Sequence, residues 1–241
     1  MGPGDCKMPD ISINAADGNG SFSAYCATPA SGSGPGIVVL QEIFGVNQVM
    51  RDLCDGFAAE GYIAVAPDLF WRIEPGVQLT DKSQEEWDRA FDLMNTFLPD
   101  FEKGVADIAA TIRHVRGIEG CTGKVGAVGY CLGGSLAYAA ACVTDADACS
   151  GYYPVQIEDS LELSSSIKNP LFLHVAENDG FCPPEAQAKI KDVLSPNEHV
   201  TVYSYPGVDH AFARVGGDNY DDAAATTANG RTADLFKSVL G

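Results

Sequence analysis

The segment Gly129-Tyr130-Cys131-Leu132-Gly133 places a thiol at the centre of a Gly-x-nucleophile-x-Gly spacing. That spacing presents a nucleophile on a sharp turn between a strand and a helix, and it suits covalent acyl transfer. The residues before it, Lys124 to Val128, are short and apolar, and those after it, Leu132 to Cys142, are rich in alanine and leucine. Strand, tight turn and helix follow, with the flanking glycines removing side chains that would collide. Cys131 then heads a helix, where the N-terminal dipole favours a thiolate. The plain alternative is a buried, inert cysteine, the usual fate of a free one; the glycine spacing and the strand-to-helix context argue against it.

A free thiol with a pKa near 8.5 is only a few per cent thiolate at neutral pH, so Cys131 needs a base. Of four histidines, His114 lies in a helical run, His174 in an apolar strand, and His199 just before the last strand. His210, in Pro206-Gly207-Val208-Asp209-His210-Ala211-Phe212, follows the last strand and precedes the last helix, where such a base is carried. The orienting acid should fall between nucleophile and base. Asp179 meets this condition, one turn beyond the strand Leu171 to Val175; Glu177, two residues nearer the strand, is the alternative. The segment Gln41-Glu42-Ile43-Phe44-Gly45 follows the apolar strand Ile37 to Leu40. It is placed to give an oxyanion-hole amide from Ile43, with Leu132 giving the other, and it sets the ionisable Glu42 beside the nucleophile.

The elements that must position these groups alternate along the chain. Ile11 to Ala16 and Ser21 to Thr28 read as strands joined by the turn Asp17-Gly18-Asn19-Gly20, an antiparallel hairpin. From Ile37 onward apolar strands alternate with helices: strands at Ile37 to Leu40, Tyr62 to Ala66, Val125 to Val128, Cys149 to Tyr153, Leu171 to Val175 and Val200 to Tyr205. Helices are expected near Gln48 to Glu60, Ser83 to Phe97, Phe101 to Arg116, Pro184 to Leu194 and Thr232 to Leu240, besides the one after Cys131. The fold class is α/β: about eight strands in a mostly parallel sheet, an N-terminal antiparallel hairpin, helices on both faces, and functional loops at the carboxyl ends of the strands.

Composition bounds the rest. With 241 residues, 46% of them hydrophobic, and no repeat or low-complexity linker, one domain over residues 1–241 is expected. Apolar runs reach about half a dozen residues against the roughly 20 that span a bilayer, so no membrane association is expected. The segment Met1 to Asp10 lacks a signal-peptide pattern, which makes the expected location cytoplasmic. None of the eight cysteines forms Cys-x-x-Cys, none pairs with histidine at zinc spacing, and several fall in core patterns, so reduced thiols are expected. The net charge of −18 with no basic cluster argues against nucleic acid as a partner. No ligand cluster or phosphate-cradling loop calls for a metal or organic cofactor. A monomer or weak homodimer acting on a small molecule fits these limits.

At the residues just described the chain resembles the dienelactone hydrolase (carboxymethylenebutenolidase) family, cysteine-dependent members of the α/β-hydrolase fold. The resemblance rests on Gln41-Glu42-Ile43-Phe44-Gly45-Val46-Asn47, Ala66-Pro67-Asp68-Leu69, the run from Lys124 through Cys131-Leu132-Gly133-Gly134, and His210-Ala211-Phe212-Ala213-Arg214. It implies Cys131 as nucleophile, Asp179 and His210 completing a triad, and Glu42 taking the thiol proton once substrate disturbs the resting arrangement. The chemistry implied is opening of a lactone or ester through an acyl-enzyme. Two arginines anchor the substrate's carboxylate in that family; Arg214 matches one, while Trp87 stands at the place of the other and Phe91 at that of a family tyrosine. Arg89, about 200° round the helix from Trp87, is a poor substitute. A weaker preference for anionic lactones follows, with Trp87, Phe44 and Tyr152 lining the pocket; Tyr152 and the adjacent Tyr153 both end a strand near it. Two other readings compete: a redox-responsive thiol protein using Cys182 or Cys142 as a second thiol, and a non-catalytic binding module on the same fold.

Overall fold

The architecture comes from a computed structural model, which describes residues 10–241. Cys6 and the polar N-terminal segment, apart from Asp10, lie outside the described residues. The chain opens with the expected hairpin, β1 (Ile11–Asn14) and β2 (Ser21–Ala27), paired antiparallel with Ile11 opposite Ala24. Phe22, Ala24 and Cys26 of β2 are buried while Ser21 and Ser23 face out, the alternation of a strand covered on one face. Then come β3 (Gly34–Leu40), α1 (Gln48–Ala59), β4 (Ile63–Pro67), α2 (Gln84–Phe97), α3 (Phe101–Arg116), β5 (Cys121–Tyr130) and α4 (Leu132–Val143). The chain ends with β6 (Ala148–Tyr152), β7 (Leu171–Ala176), α5 (Pro184–Leu194), β8 (Val200–Tyr205) and α6 (Asp222–Leu240).

All eight strands form one sheet in the order β1-β2-β4-β3-β5-β6-β7-β8, antiparallel across β1, β2 and β4 and parallel from β4 to β8. Every residue of β3, β4 and β6 is buried. The near-continuous Val, Ile, Ala and Leu content of Ile37 to Leu40 in β3 and Ile63 to Ala66 in β4 is what a strand covered on both faces requires, while β6 fills its place with small residues, Ala148 to Gly151. The register brings the carboxyl ends to one edge: Leu40 lies opposite Gly129, Tyr130 opposite Tyr152, Tyr152 opposite His174, and Ala176 opposite Tyr205. The loops that follow these residues carry Glu42, Cys131, Tyr153, Asp179 and His210.

Two elements depart from expectation. The last helix starts at Asp222, ten residues before Thr232, with the Asp221 side chain capping it by accepting from the Ala224 N–H at 2.8 Å. Thr226, Thr227, Asn229 and Gly230 are weak helix formers that blur the signal. Burial of Ala225, Ala228, Thr232, Leu235 and Phe236 at three- and four-residue spacing makes the helix through packing. The segment after β6 also winds into short 3-10 turns at Ile157–Asp159 and Leu161–Ser166, which no periodicity foretold.

The glycines around Cys131 are packing requirements. A Cβ on Gly129 would collide with the Gly133 carbonyl and lie 3.0 Å from the Leu40 Cβ; one on Gly133 would strike the Leu40 carbonyl and lie 2.6 Å from that of Gln41. Strand β5, helix α4 and the end of β3 therefore approach backbone to backbone. Gly129→Ala should cost roughly 1–3 kcal/mol of stability through overpacking that no rotamer can relieve; urea unfolding measures it, and an unchanged midpoint would contradict the packing argument.

Candidate active site

Cys131 sits between β5 and α4 with φ 57° and ψ −118°, a left-handed backbone that a residue with a side chain adopts only under constraint. The constraint is visible in its hydrogen bonds. Its N–H donates to the Tyr152 carbonyl at 3.1 Å, and its own carbonyl accepts from Gly134 at 2.9 Å and Ser135 at 3.2 Å, starting the helix. The side chain is thrown out at the sheet's carboxyl edge, where it lines a cavity of about 510 Å³, open to solvent, together with Ile43 and His210. Leu132 is the first residue of α4, so its N–H has no acceptor within the helix.

His210 and Asp179 meet as the sequence order implied. The Nδ1 of His210 lies 2.8 Å from Asp179 Oδ2, and the other oxygen of Asp179 accepts from the Phe181 N–H at 2.8 Å. Both residues are buried. Glu177, the alternative acid, is exposed and accepts from the Gly207 N–H instead. The His210 ring is held edge-on between Tyr153 and Phe181, with centroids at 5.0 and 4.8 Å. Burial alone would lower its pKa, but the Cys131 sulfur and the Asp179 carboxylate outweigh burial and lift it from 6.5 to about 10. His174 behaves oppositely: buried in β7 between the Tyr205 and Thr232 hydroxyls, it is pushed by burial and by Arg231 to about 3 and stays neutral.

Beside Cys131, His210 and Asp179 lies a buried system of ion pairs. Glu42, buried at the end of β3, accepts from Arg214 Nε at 2.8 Å and Nη2 at 2.9 Å, a bidentate pair. Arg214 Nη1 donates to Asp81 Oδ2 at 3.1 Å, and the guanidinium carbon lies 5.1 Å from the Phe44 ring centroid. Burial works against charge on Asp81, but Lys82 and Arg214 together hold its carboxyl below the usual range. Arg214 lines both the Cys131 cavity and a neighbouring one of about 640 Å³, onto which Glu42 opens with Tyr130, Tyr153 and Met50.

The apolar wall of the Cys131 cavity comes largely from α2. Trp87, Phe91 and Met94 line it, with Trp87 stacked on Phe91 at 5.7 Å and edge-on to Phe44 at 4.9 Å. The Trp87 indole N–H donates to the Asp81 carbonyl at 3.1 Å. Arg89 points elsewhere, exposed and paired with Glu74. Tyr152 is a correction: its hydroxyl bonds Thr232 at 2.8 Å and Asn229 at 3.0 Å, anchoring α6, and the ring is buried away from the cavity. Tyr153 stands beside the site because the chain leaves the strand there with φ 35°, breaking the alternation that would otherwise have turned it away. Phe181, Val155, Gln156 and Asp81 also border the site without having been foreseen; only the position of Phe181 two residues past Asp179 offered a sequence signal. The seven described cysteines are unpaired. Cys142 and Cys182 are buried, and burial pushes their thiols to about 11 and about 12, which makes both poor attacking thiols. Among the described residues no group of three or more His, Cys, Asp or Glu could hold a metal ion, and no helix is long and apolar enough to cross a membrane.

An elbow of this kind at the carboxyl edge of a mostly parallel sheet, followed by an acid and then a histidine from later strand ends, defines an α/β hydrolase. The dienelactone hydrolase family profile matches residues 22–240, and the chain belongs to that family. A provisionally named carboxymethylenebutenolidase from Azospirillum brasilense is 52% identical over 236 residues, covering 97% of this chain and 100% of its own. A carboxymethylenebutenolidase from Pseudomonas putida is 38% identical over 226 residues, covering 94% of each. The crystal structure of a provisionally named dienelactone hydrolase from Klebsiella pneumoniae superposes with a TM-score of 0.83 at 24% identity, over 95% of this chain and 97% of its own.

The raised pKa of His210 has a measurable signature. NMR titration should place it well above 6.5, near 10, and Cys131→Ala should lower it by removing the sulfur's influence. A wild-type value at or below 6.5 would refute the assigned surroundings. Since the folded value lies above the unfolded one, the associated stabilisation is complete below about pH 6.5 and is lost as pH rises through about 10.

Proposed function

We propose that this protein hydrolyses lactones or esters through a thioester formed on Cys131. The observation that carries the reading is the convergence on one cavity of a thiol held on a strained elbow and a buried imidazole fixed by Asp179. Substrate entering the cavity loosens the Arg214 clamp, and Glu42 takes the proton of the Cys131 thiol. The sulfur attacks the carbonyl carbon, and the oxyanion accepts hydrogen bonds from the N–H groups of Leu132 and Ile43. The tetrahedral intermediate collapses as the C–O bond breaks. The leaving oxygen takes a proton from His210, whose raised pKa keeps it protonated at neutral pH.

Neutral His210 next removes a proton from water, which attacks the thioester carbonyl. The C–S bond breaks, the carboxylic acid departs, and the thiolate recovers its proton from Glu42. Every proton is returned, and no group outside the chain is consumed except water. Asp179 holds the imidazole in one tautomer and stabilises its cationic form throughout.

Hydrolysis of para-nitrophenyl esters tests this reading. Cys131→Ala and His210→Ala should each lose roughly a thousandfold or more in kcat. Cys131→Ser should be slower by orders of magnitude, because Glu42 is a far weaker base toward a hydroxyl than toward a thiol. Intact-protein mass spectrometry during turnover should show the acyl adduct on the wild type and not on Cys131→Ala. Normal turnover by Cys131→Ala would end the proposal.

A further inference from the structure

Among the described residues, Arg214 supplies the one guanidinium that lines the Cys131 cavity, and its hydrogen-bonding edge is already occupied. Nε and Nη2 are held by Glu42, and Nη1 by Asp81. An arginine binds an incoming carboxylate well by offering two parallel N–H groups. Here the bidentate edge is filled by one carboxylate and part of the remainder by a second, so one positive charge faces two negative ones. Lys82 pairs with the other oxygen of Asp81 at 2.9 Å, and its side chain is 58% exposed, so it offers little to the interior. Outside Arg214, a cavity adjoining the site is bordered by Asp81, Trp87, Phe181, His210 and the exposed Asp218, adding a carboxylate at the mouth.

Asp81 acts on the apolar wall as well. Its backbone carbonyl holds the indole N–H of Trp87, and that ring packs on Phe44 and Phe91. One residue therefore both occupies the cation and seats the aromatic wall. Even if Glu42 swings away during the reaction, Asp81 remains on Arg214.

From this arrangement we propose that Asp81 is a specificity-determining residue that disfavours carboxylated substrates and reserves the cavity for lactones or esters carrying a neutral, aromatic acyl group. The proposal rests on the thiol-hydrolase reading of the same site. A substrate carboxylate must displace Asp81 or share Arg214 with two others of like charge. An uncharged aryl group instead meets Trp87, Phe91, Phe44 and Met94 and leaves the pair between Asp81 and Arg214 intact.

The test uses a matched pair, para-nitrophenyl phenylacetate and the same ester bearing a carboxylate on the phenyl ring. Wild-type protein should favour the neutral ester in kcat/KM by about tenfold or more, the size expected for one hydrogen bond to a charged partner. Asp81→Asn and Asp81→Ser, which keep the carbonyl that holds Trp87, should each reduce that preference about tenfold, mainly by lowering KM for the carboxylated ester. Asp81→Glu should preserve it. A wild-type preference for the anion would overturn the proposal, as would an unchanged ratio in both Asn and Ser variants, the result expected of a purely structural residue. Failure of the underlying reading looks different: neither ester is turned over by the wild type, or Cys131→Ala hydrolyses both.

Discussion

The backbone at Cys131 can hold its left-handed turn only because nothing but hydrogen stands between β5, α4 and the end of β3. Gly129 and Gly133 allow that contact, and the Cys131 N–H and carbonyl lock it through Tyr152, Gly134 and Ser135. The consequence reaches beyond the thiol. Among the described residues, the non-glycine positions with positive φ are Cys131, Tyr153, Gln156 and Ala211, and all four lie at the carboxyl edge around the same cavity or beside His210. Conformations of this kind cost of order 1–3 kcal/mol each and persist only where the surroundings over-determine them. The buried strands β3, β4 and β6 provide those surroundings, a rigid platform against which the loops can be held in unfavourable geometry.

The polar groups of the site form two chains side by side. One runs from Cys131 through His210 to Asp179, and the other from Glu42 through Arg214 to Asp81. Buried ion pairs seldom add net stability, because desolvation consumes most of the Coulombic gain. What they add here is position. Arg214 comes from the segment between β8 and α6, Glu42 from the loop after β3, and Asp81 from the approach to α2, so the second chain ties three distant stretches into one wall of the cavity. Removing one partner would leave a buried charge exposed to its neighbours, which makes the arrangement hard to change one residue at a time.

Much of this was legible in the sequence, for identifiable reasons. Parallel strands buried on both faces need continuous apolar runs, and those runs mark β3, β4 and β7 directly. Glycine spacing gave the elbow, and the order of Asp179 and His210 after Cys131 gave their partners. Other features leave no local trace. Tyr152 and Tyr153 are chemically identical, and which one faces the site depends on a φ of 35° at the strand's exit. Asp81 lies in a polar loop with no period or motif, and its importance comes from Arg214, 133 positions away. The start of α6 was hidden because Thr226, Thr227, Asn229 and Gly230 break up the alanines of its first turns, and the burial of Ala225 and Ala228 that holds those turns in the helix leaves no clear apolar period.

The net charge of −18 invites the idea that the protein repels anions as a whole, but distance limits that effect. At physiological ionic strength the Debye length is about 8 Å, so surface carboxylates far from the cavity are largely screened. Most arginines with partners in the structure are also locally neutralised: Arg51 by Asp10, Arg72 by Asp17 and Asp107, Arg89 by Glu74, and Arg116 by Asp145 and Asp147. Among the described residues, Arg214 is the one arginine or lysine that lines the Cys131 cavity. Discrimination between charged and neutral substrates must therefore arise within a Debye length of the sulfur, among groups shielded from salt by their own burial. Glu42 and Arg214 are both nearly inaccessible, and the Asp81 side chain is 12% exposed. The local charge balance around Arg214, and not the charge of the whole molecule, sets the electrostatic character of the cavity.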